Sequence, residues 1–440
     1  MRTFRGGVHP NDNKDATKMK PIVDLIPPKE LVFPMSQHIG APAVPCVKTG
    51  DTVCMGQKIA DAGGFVSACI YSSVSGKVKG IEKRLHPNGS LTDCIIIEND
   101  GLDTPAPELS DGERDYKKLT ADETVGIIRD AGIVGMGGAT FPTHVKLSPP
   151  KEANIEYVIV NGAECEPYLT SDHREMLEHP EDIILGLCIM MRIFGLKDGY
   201  VGIEDNKPDA IESMQKRAAE IDDASIHIVA LKTKYPQGAE KQLINAVTGR
   251  KVKPGQLPWQ VGCIVSNIDT VAAVARAVVR HQPLISRIVT LGGDALKNPV
   301  NYRVRIGTPF SYAIEQSGGT VCEPAKILMG GPMMGLAVPS IDVPVIKGTS
   351  GILVLSSKSA RLQNETACIR CAKCVYVCPM KLQPNLLDKS ARSNDFDELE
   401  KLNISDCIEC GSCAFICPSK RRQVQQIKIA KAKLRERAKA

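Results

Sequence analysis

CIRCAKCVYVCP runs from Cys368 to Pro379, and CIECGSCAFICP from Cys407 to Pro418. Both stretches have the spacing C-x2-C-x2-C-x3-C-P. Three closely spaced cysteines wrap a loop around one iron–sulfur cubane and place three thiolates on three irons. The fourth iron of each cubane faces the other run, so the fourth cysteine of each run crosses over. One 4Fe-4S cluster is therefore assigned to Cys368, Cys371, Cys374 and Cys417, and a second to Cys407, Cys410, Cys413 and Cys378. Pro379 and Pro418 bend the chain away from each cluster. Structural zinc is the competing reading. Zinc favours paired CxxC motifs or a Cys/His mixture, and neither run contains His. The connector LLDKSARSNDFDELEKL (386–402) has helical character, which makes the unit α-helical.

Outward from this unit, the tail 421–440 is basic and of high helix propensity, with Lys428, Lys431, Lys433, Arg435, Arg437 and Lys439. It is read as a solvated or partner-docking helix, with DNA or anionic lipid as the alternative ligand. The chain has 440 residues, enough for two to four domains. Aromatics are 4% with one Trp, which argues against a stacking platform for single-stranded nucleic acid. A net charge of +5 does not support a phosphate-binding surface over the whole chain, so no nucleic-acid partner is expected. The other eight of the 16 cysteines, Cys165 among them, are scattered and read as small buried residues. His9, His38, His86 and His144 lack metal spacing. The start, MRTFRGGVHPND, has no signal-peptide core. The longest apolar stretch, 183–196, is too short to span a bilayer and contains Arg192. The expectation is a soluble protein of a reducing compartment with no transmembrane segment, held at any membrane through partners.

Residues 1–100 alternate short β-rich pieces with glycine turns, as in VPCVKTGDTVCMGQKIA (44–60) and IYSSVSGKVKGIE (70–82). They resemble the lipoyl/biotinyl barrel-sandwich family. That family carries its swinging arm on a hairpin lysine, and no lysine lies between Lys58 and Lys77 here, so the module is read as structural or docking. Residues 101–120 read as a linker. A helix over 121–132 is expected, with Thr120 and Glu123 forming a capping box. The domain 121–284 then alternates strand (156–163), helix (175–195), strand (199–205), helix (207–220) and strand (225–231). This order predicts a parallel sheet covered on both faces, with ligands at the carboxyl ends of its strands. Residues 285–355 form a compact β-rich unit, and the cysteine unit occupies 356–420.

Two motifs flank the first strand of that sheet. GMGGATFPTHVK (135–146) offers glycine backbone for close approach to a ligand, with successive N–H groups able to cradle phosphate. NGAECEPYLTSDHR (161–174) places Asn161, Glu164, Glu166 and Asp172 around a strand end. The pair is similar to motifs of the FMN- and NADH-binding subunit family of respiratory complex I. YPQGAEKQLI (235–244) and VSNIDTVAAV (265–274) extend the similarity in the same order. Two departures refine it: a second cluster run and the N-terminal module. Together they resemble the family of C subunits of Rnf complexes, the ion-translocating ferredoxin:NAD oxidoreductases. A cobalamin reductase family sharing the flavin and cluster motifs, but not the N-terminal module, is the alternative.

The resemblance implies a multidomain α/β chain: barrel-sandwich module, Rossmann-like FMN/NADH domain, β-grasp (SLBB-type) domain and two-cluster ferredoxin unit. It implies that Gly135, Gly137, Lys146, Asn161 and Glu164 hold FMN, with Gly238, Ser266 and Asn267 completing that site. It places Gly138, Ala139, Phe141, Glu166 and Glu240 toward NAD(H). Met136, Ala163 and Ser266 stand where the complex I family has Arg, Asp and Asn. Hydride transfer belongs to the cofactors and needs no catalytic side chain. The implied partners are other Rnf-type membrane and cluster subunits and, directly or indirectly, ferredoxin, at the cytoplasmic face of the membrane.

Overall fold

The computed structural model of the chain describes residues 2–437, so Lys439 and the end of the basic tail lie outside it. The strand–helix alternation after residue 156 builds a four-stranded parallel sheet. Its order is Ser225–Leu231, Asp198–Glu204, Tyr157–Gly162, Cys263–Asn267. Val158, Ile159 and Val160 are fully buried, as a sheet covered on both faces requires. Leu187 of helix Pro180–Ile193 and Val271 of helix Ile268–Arg280 share a core with Val158 and Val160. Helix Glu240–Thr248 covers the opposite face through Leu243, which clusters with Ile159 and Val265. The helix expected over 175–195 divides into Ser171–Glu178 and Pro180–Ile193. Pro180 supplies no N–H to continue the first helix but suits the first turn of the second. The Thr120–Glu123 capping box forms and starts helix Ala121–Asp130.

Strand order reverses direction between Tyr157–Gly162 and Cys263–Asn267. The chain leaves the carboxyl ends of these two neighbours into helices Ser171–Glu178 and Ile268–Arg280, and strand ends at such a reversal are where parallel sheets bind ligands. Asn161 and Asn267 are register partners at this edge.

The N-terminal module is two small antiparallel sheets, one of Glu30–Pro34, Leu91–Asn99, Gly76–Leu85 and Thr52–Val53, the other of Val44–Pro45, Lys58–Asp61 and Ile70–Tyr71. Leu31, Phe33, Ile59 and Ile95 fill the space between them. The β-grasp sheet runs Ile22–Asp24, Val300–Arg305, Ser286–Gly292, Gly351–Leu355, Lys326–Met329, Leu336–Ala337. Its first strand comes from the beginning of the chain and pairs in parallel with Val300–Arg305. The residues before it are also not part of the barrel. Gly7 N–H donates to Val377 O at 2.7 Å, while Val8 and Tyr235 exchange backbone bonds at 2.8 and 2.9 Å. The N-terminus is thus a strap joining the parallel-sheet domain to the cysteine unit. In that unit the basic tail forms helix Gln423–Arg437, anchored by buried Ile427 and Ala430.

Lys347 is a fully buried cation where three domains meet. Its Nζ donates to Cys69 O of the barrel and to Gly132 O of the flanking helical loop, each at 2.6 Å. Two carbonyls do not replace the lost hydration of an ammonium, so burial depresses its pKa to about 7. The unfolded chain keeps this proton up to the ordinary lysine range. Between about pH 7 and that range the unfolded state therefore binds more protons, and stability rises with pH by up to about 1.4 kcal/mol per unit. Melting temperatures taken from pH 6 to pH 9 should show this rise for the native chain and lose it in Lys347→Met. An identical pH profile for both proteins would refute the assignment.

Candidate functional site

The glycine-rich loop lies across the strand ends. Gly135 N–H donates to Phe141 O at 2.8 Å and closes the loop. Met136 N–H donates to Thr270 Oγ1 at 2.9 Å, which fixes the loop to the helix that follows Asn267. A Cβ on Gly137 would stand 2.8 Å from Asn267 Cβ, so only glycine lets the loop rest on that residue. Gly137, Gly138 and Ala139 face solvent, and space above Gly138 is open to 4 Å. Asn267 caps its helix by accepting from Asp269 N–H at 3.0 Å and donates through Nδ2 to Asp172 Oδ2 at 2.6 Å. Asn161 Nδ2 donates to Gly238 O at 2.8 Å, and Gly238 N–H in turn approaches Cys165 Sγ at 3.4 Å. Ser266 is buried one residue before Asn267.

Beneath this shelf lies a layer of buried charge. Glu164, in a left-handed conformation at φ 45°, accepts from Asp172 N–H at 2.7 Å. Lys14 Nζ donates to Glu164 O at 2.9 Å and stands 3.5 Å from its Oε2, which has no hydrogen-bond partner. Burial, then the neighbouring Glu164 carboxylate, raises Asp172 well above the usual carboxylate range. Lys207 Nζ, also buried, donates to Ala163 O at 2.7 Å. Arg287 pairs with Asp269 at 3.0 Å and holds Lys347 O at 2.6 Å, so the β-grasp domain braces the same corner.

Two residues expected to serve different ligands are partners of each other. Lys146 Nζ lies 2.9 Å from Glu240 Oε1 and 2.8 Å from Val265 O. Glu166, expected to face NAD(H), spends both carboxylate oxygens on the β-grasp loop, accepting from Met333 N–H at 3.0 Å and Met334 N–H at 2.9 Å. Burial raises its pKa, with the two N–H bonds opposing that shift. Phe141 is half-buried beside the loop it closes. An open glycine shelf, two side-by-side amides and a rim cation fit a phosphate-bearing flavin. Gly135, Gly137, Asn161 and Asn267 lie where they would hold it.

In the cysteine unit, Cys378, Cys407, Cys410 and Cys413 line one cavity with Leu387 and Ile427. Burial pushes the Cys407 thiol up to about 11, with Cys410 and Cys378 adding to the shift. Cys413 is raised by burial and by the same neighbours, Cys378 included. Cys374 in turn is raised by burial and by Cys417. Cys378 therefore keeps company with the second run and Cys417 with the first. Among the described residues no three Cys, His, Asp or Glu side chains converge as ligands of a single ion. The four thiols instead stand around a shared space, and thiolates on separate corners are the donor set of a cubane. Tyr235 Oη donates to Cys410 O at 2.7 Å and ties this pocket to the parallel-sheet domain.

Comparison with known proteins places these parts in one order. The RnfC barrel sandwich hybrid domain matches residues 2–102, the Nuo51 FMN-binding domain 128–276, the SLBB domain 288–337 and the 4Fe-4S dicluster domain 361–418. The C subunit of the proton-translocating ferredoxin:NAD(+) oxidoreductase complex of Clostridium ljungdahlii is 49% identical over 99% of this chain and 94% of its own length. The chain belongs to the family of Rnf complex C subunits. The Na(+)-translocating counterpart from Acetobacterium woodii is 47% identical over 98% of this chain and 97% of its own. The C subunit of the ion-translocating oxidoreductase complex of Rhodobacter capsulatus is 42% identical, covering 99% and 84%. A crystal structure of an NAD+-reducing NiFe hydrogenase in the H2-reduced state shares the fold over 74% of this chain and 64% of that one, with a TM-score of 0.51 and 17% identity.

For this member of the RnfC family, the match over residues 2–102 supplies the module that the cobalamin reductase alternative lacks. The multidomain fold is as expected from sequence, and the chain carries an FMN-binding domain and a 4Fe-4S dicluster domain. Sequence reasoning passed over Lys14, Lys207, Arg287 and the strap at Gly7. A signal existed only for Arg287, a cation at the head of the apolar strand run RIVTLGG (287–293).

Proposed function

We propose that this RnfC family member passes electrons between NAD(H) bound at the glycine shelf and two 4Fe-4S clusters, as an oxidoreductase subunit of a ferredoxin:NAD(+) oxidoreductase complex. Bound FMN supplies the exchange between two-electron hydride and single-electron chemistry. One observation carries the order of the path: Tyr235, from the flavin domain, donates to the carbonyl of Cys410 at 2.7 Å. The second cluster, on Cys378, Cys407, Cys410 and Cys413, thus lies on the flavin side. The first, on Cys368, Cys371, Cys374 and Cys417, lies outside it, where Cys368 and Cys371 are exposed.

Several residues have positioning work in this reading. Asn161 and Asn267 orient the flavin over the strand ends, and Gly138 and Ala139 leave room for the dinucleotide. Glu166 aligns the flavin domain with the β-grasp loop that backs the second cluster. Burial, then the neighbouring Glu164 carboxylate, raises Asp172, so charge at this position is disfavoured under the shelf. Electrons leave toward, or enter from, ferredoxin through other subunits of the complex, with this chain peripheral at the cytoplasmic face. None of its described helices is long and apolar enough to cross a membrane. The relatives are named as subunits of complexes that translocate different ions, protons in one and Na(+) in another.

The test is NADH reduction of the FMN- and iron–sulfur-reconstituted chain under anaerobic conditions, followed by EPR. Two interacting reduced clusters are the expected result. Protein that holds FMN and iron yet shows no cluster signal after NADH would refute the path. Tyr235→Phe should keep both cofactors and slow cluster reduction, because it removes the hydrogen bond at about 1 kcal/mol and leaves Cys410 O unpaired. Stopped-flow absorbance separates that step from flavin bleaching.

A further inference from the structure

The two cysteine runs are a structural repeat, and among the described residues only one copy is covered. Arg370 and Glu409 occupy equivalent positions with φ 55° and 57°, as do Ala372 and Gly411 with 58° and 83°. Each run contains a short helix before its fourth cysteine, Lys373–Val377 in one and Ser412–Ile416 in the other. On the second copy, Ile408 packs in a cluster with Val8 and Tyr235, and Ser412 is fully buried. A Cβ at Gly411 would come 3.1 Å from Met333 O, so glycine there is matched to the docked loop. On the first copy the equivalent Ile369 is 66% exposed, Cys371 and Lys373 are exposed, and alanine stands in place of the glycine.

The charge of the two faces also differs. Glu409 is paired with Lys431 at 2.8 Å inside the chain, whereas its counterpart Arg370 is an exposed cation, as is Lys373 where the covered copy has Ser412. We propose that the first-run face around Ile369, Arg370 and Lys373 is the docking surface for an acidic, redox-active face of another subunit of the complex. This rests on the electron path proposed above. A fellow subunit, rather than a transient carrier, is indicated by the repeat itself. The equivalent surface is permanently covered by a folded domain, and a large aliphatic side chain at its centre favours a lasting dry contact. The flanking Arg370 and Lys373 select a partner of opposite charge and set its register.

The test uses the purified complex with a photo-cross-linking phenylalanine analogue in place of Ile369, with and without added ferredoxin. Cross-linking to a different subunit without ferredoxin is the expected result. A product of two copies of this chain, a lipid adduct, a product formed only with ferredoxin, or none at all would each overturn the proposal. In a second arm, the Arg370→Glu/Lys373→Glu complex should reoxidise its NADH-reduced clusters about tenfold more slowly. Flavin bleaching by NADH should be unchanged, and Arg370→Lys/Lys373→Arg should restore the rate. Unchanged reoxidation in the charge-reversed complex would also overturn it. If NADH fails to bleach the flavin of the native complex, the electron path is wrong, while the cross-link still reports on docking.

Discussion

Replacing Cys378 with alanine should abolish the second cluster and spare the first. Along the chain Cys378 follows Cys374 and belongs to the first run, so a ligand set drawn from sequence neighbours would predict the opposite. In the folded chain Cys378 lines the cavity of Cys407, Cys410 and Cys413. Its charge also contributes to the raised thiols of Cys407 and Cys413. Iron content should fall to roughly half, since one of two cubanes is lost. The EPR signal that remains should be the one that Cys371→Ala removes. Cys417→Ala should do the reverse. Cys378→Ser serves as the conservative companion, because Val377 O holds the strap through Gly7 and a fold defect must be separated from ligand loss. If Cys378→Ala and Cys371→Ala eliminate the same signal, the crossing is wrong. Under the proposed path Cys378→Ala should also strand reducing equivalents on the flavin, leaving the surviving cluster oxidised after NADH.

The second large effect is expected at Gly137. An added Cβ would lie 2.8 Å from Asn267 Cβ and 2.9 Å from its Cγ. Asn267 has little freedom to yield. Its Oδ1 caps the helix, its Nδ2 is held by Asp172, and its backbone sits in register with Asn161. The loop must therefore lift from Asn267, at a cost of about 1–3 kcal/mol if overpacking here resembles that in other dense sites. Gly137→Ala should then weaken FMN binding by about fivefold to a hundredfold. Iron content should not change, since the cysteine unit is distant in the chain and independently packed around Leu387 and Ile427. Gly138→Ala is the internal control. Nothing lies within 4 Å of its added Cβ, so FMN affinity should stay near native. Fluorescence titration of FMN into the apo-chain reads both. Equal losses in the two variants would mean that the loop's glycines matter for flexibility rather than for contact with Asn267.

Much of the architecture was legible because its signals are local. Cysteine spacing specifies a loop geometry within a dozen residues. The alternation of apolar strand and amphipathic helix after Tyr157 specifies a parallel sheet, and Thr120 with Glu123 marks a helix start that forms with both of its hydrogen bonds. The division of the 175–195 helix at His179 was also present in the letters, as Pro180, but periodicity on both sides masked it.

Cofactor chemistry and domain order can be read from the letters alone. Thiolate runs, a glycine loop and strand-end amides are written in contiguous stretches whose backbone requirements few other residues satisfy. Which groups meet is settled by the packing of whole domains. A lysine is the same letter whether solvated or buried, so nothing marked Lys14, Lys207 or Lys347 as interior cations. The pairing of Lys146 with Glu240, and of Glu166 with the backbone of Met333 and Met334, joins segments far apart in the chain. Contacts at that separation have no periodicity to betray them, because no local pattern encodes the partner. The same holds for the N-terminal strap. Its first residues leave the barrel that follows them to bridge Tyr235 and Val377, a choice made by unpaired backbone groups on two other domains.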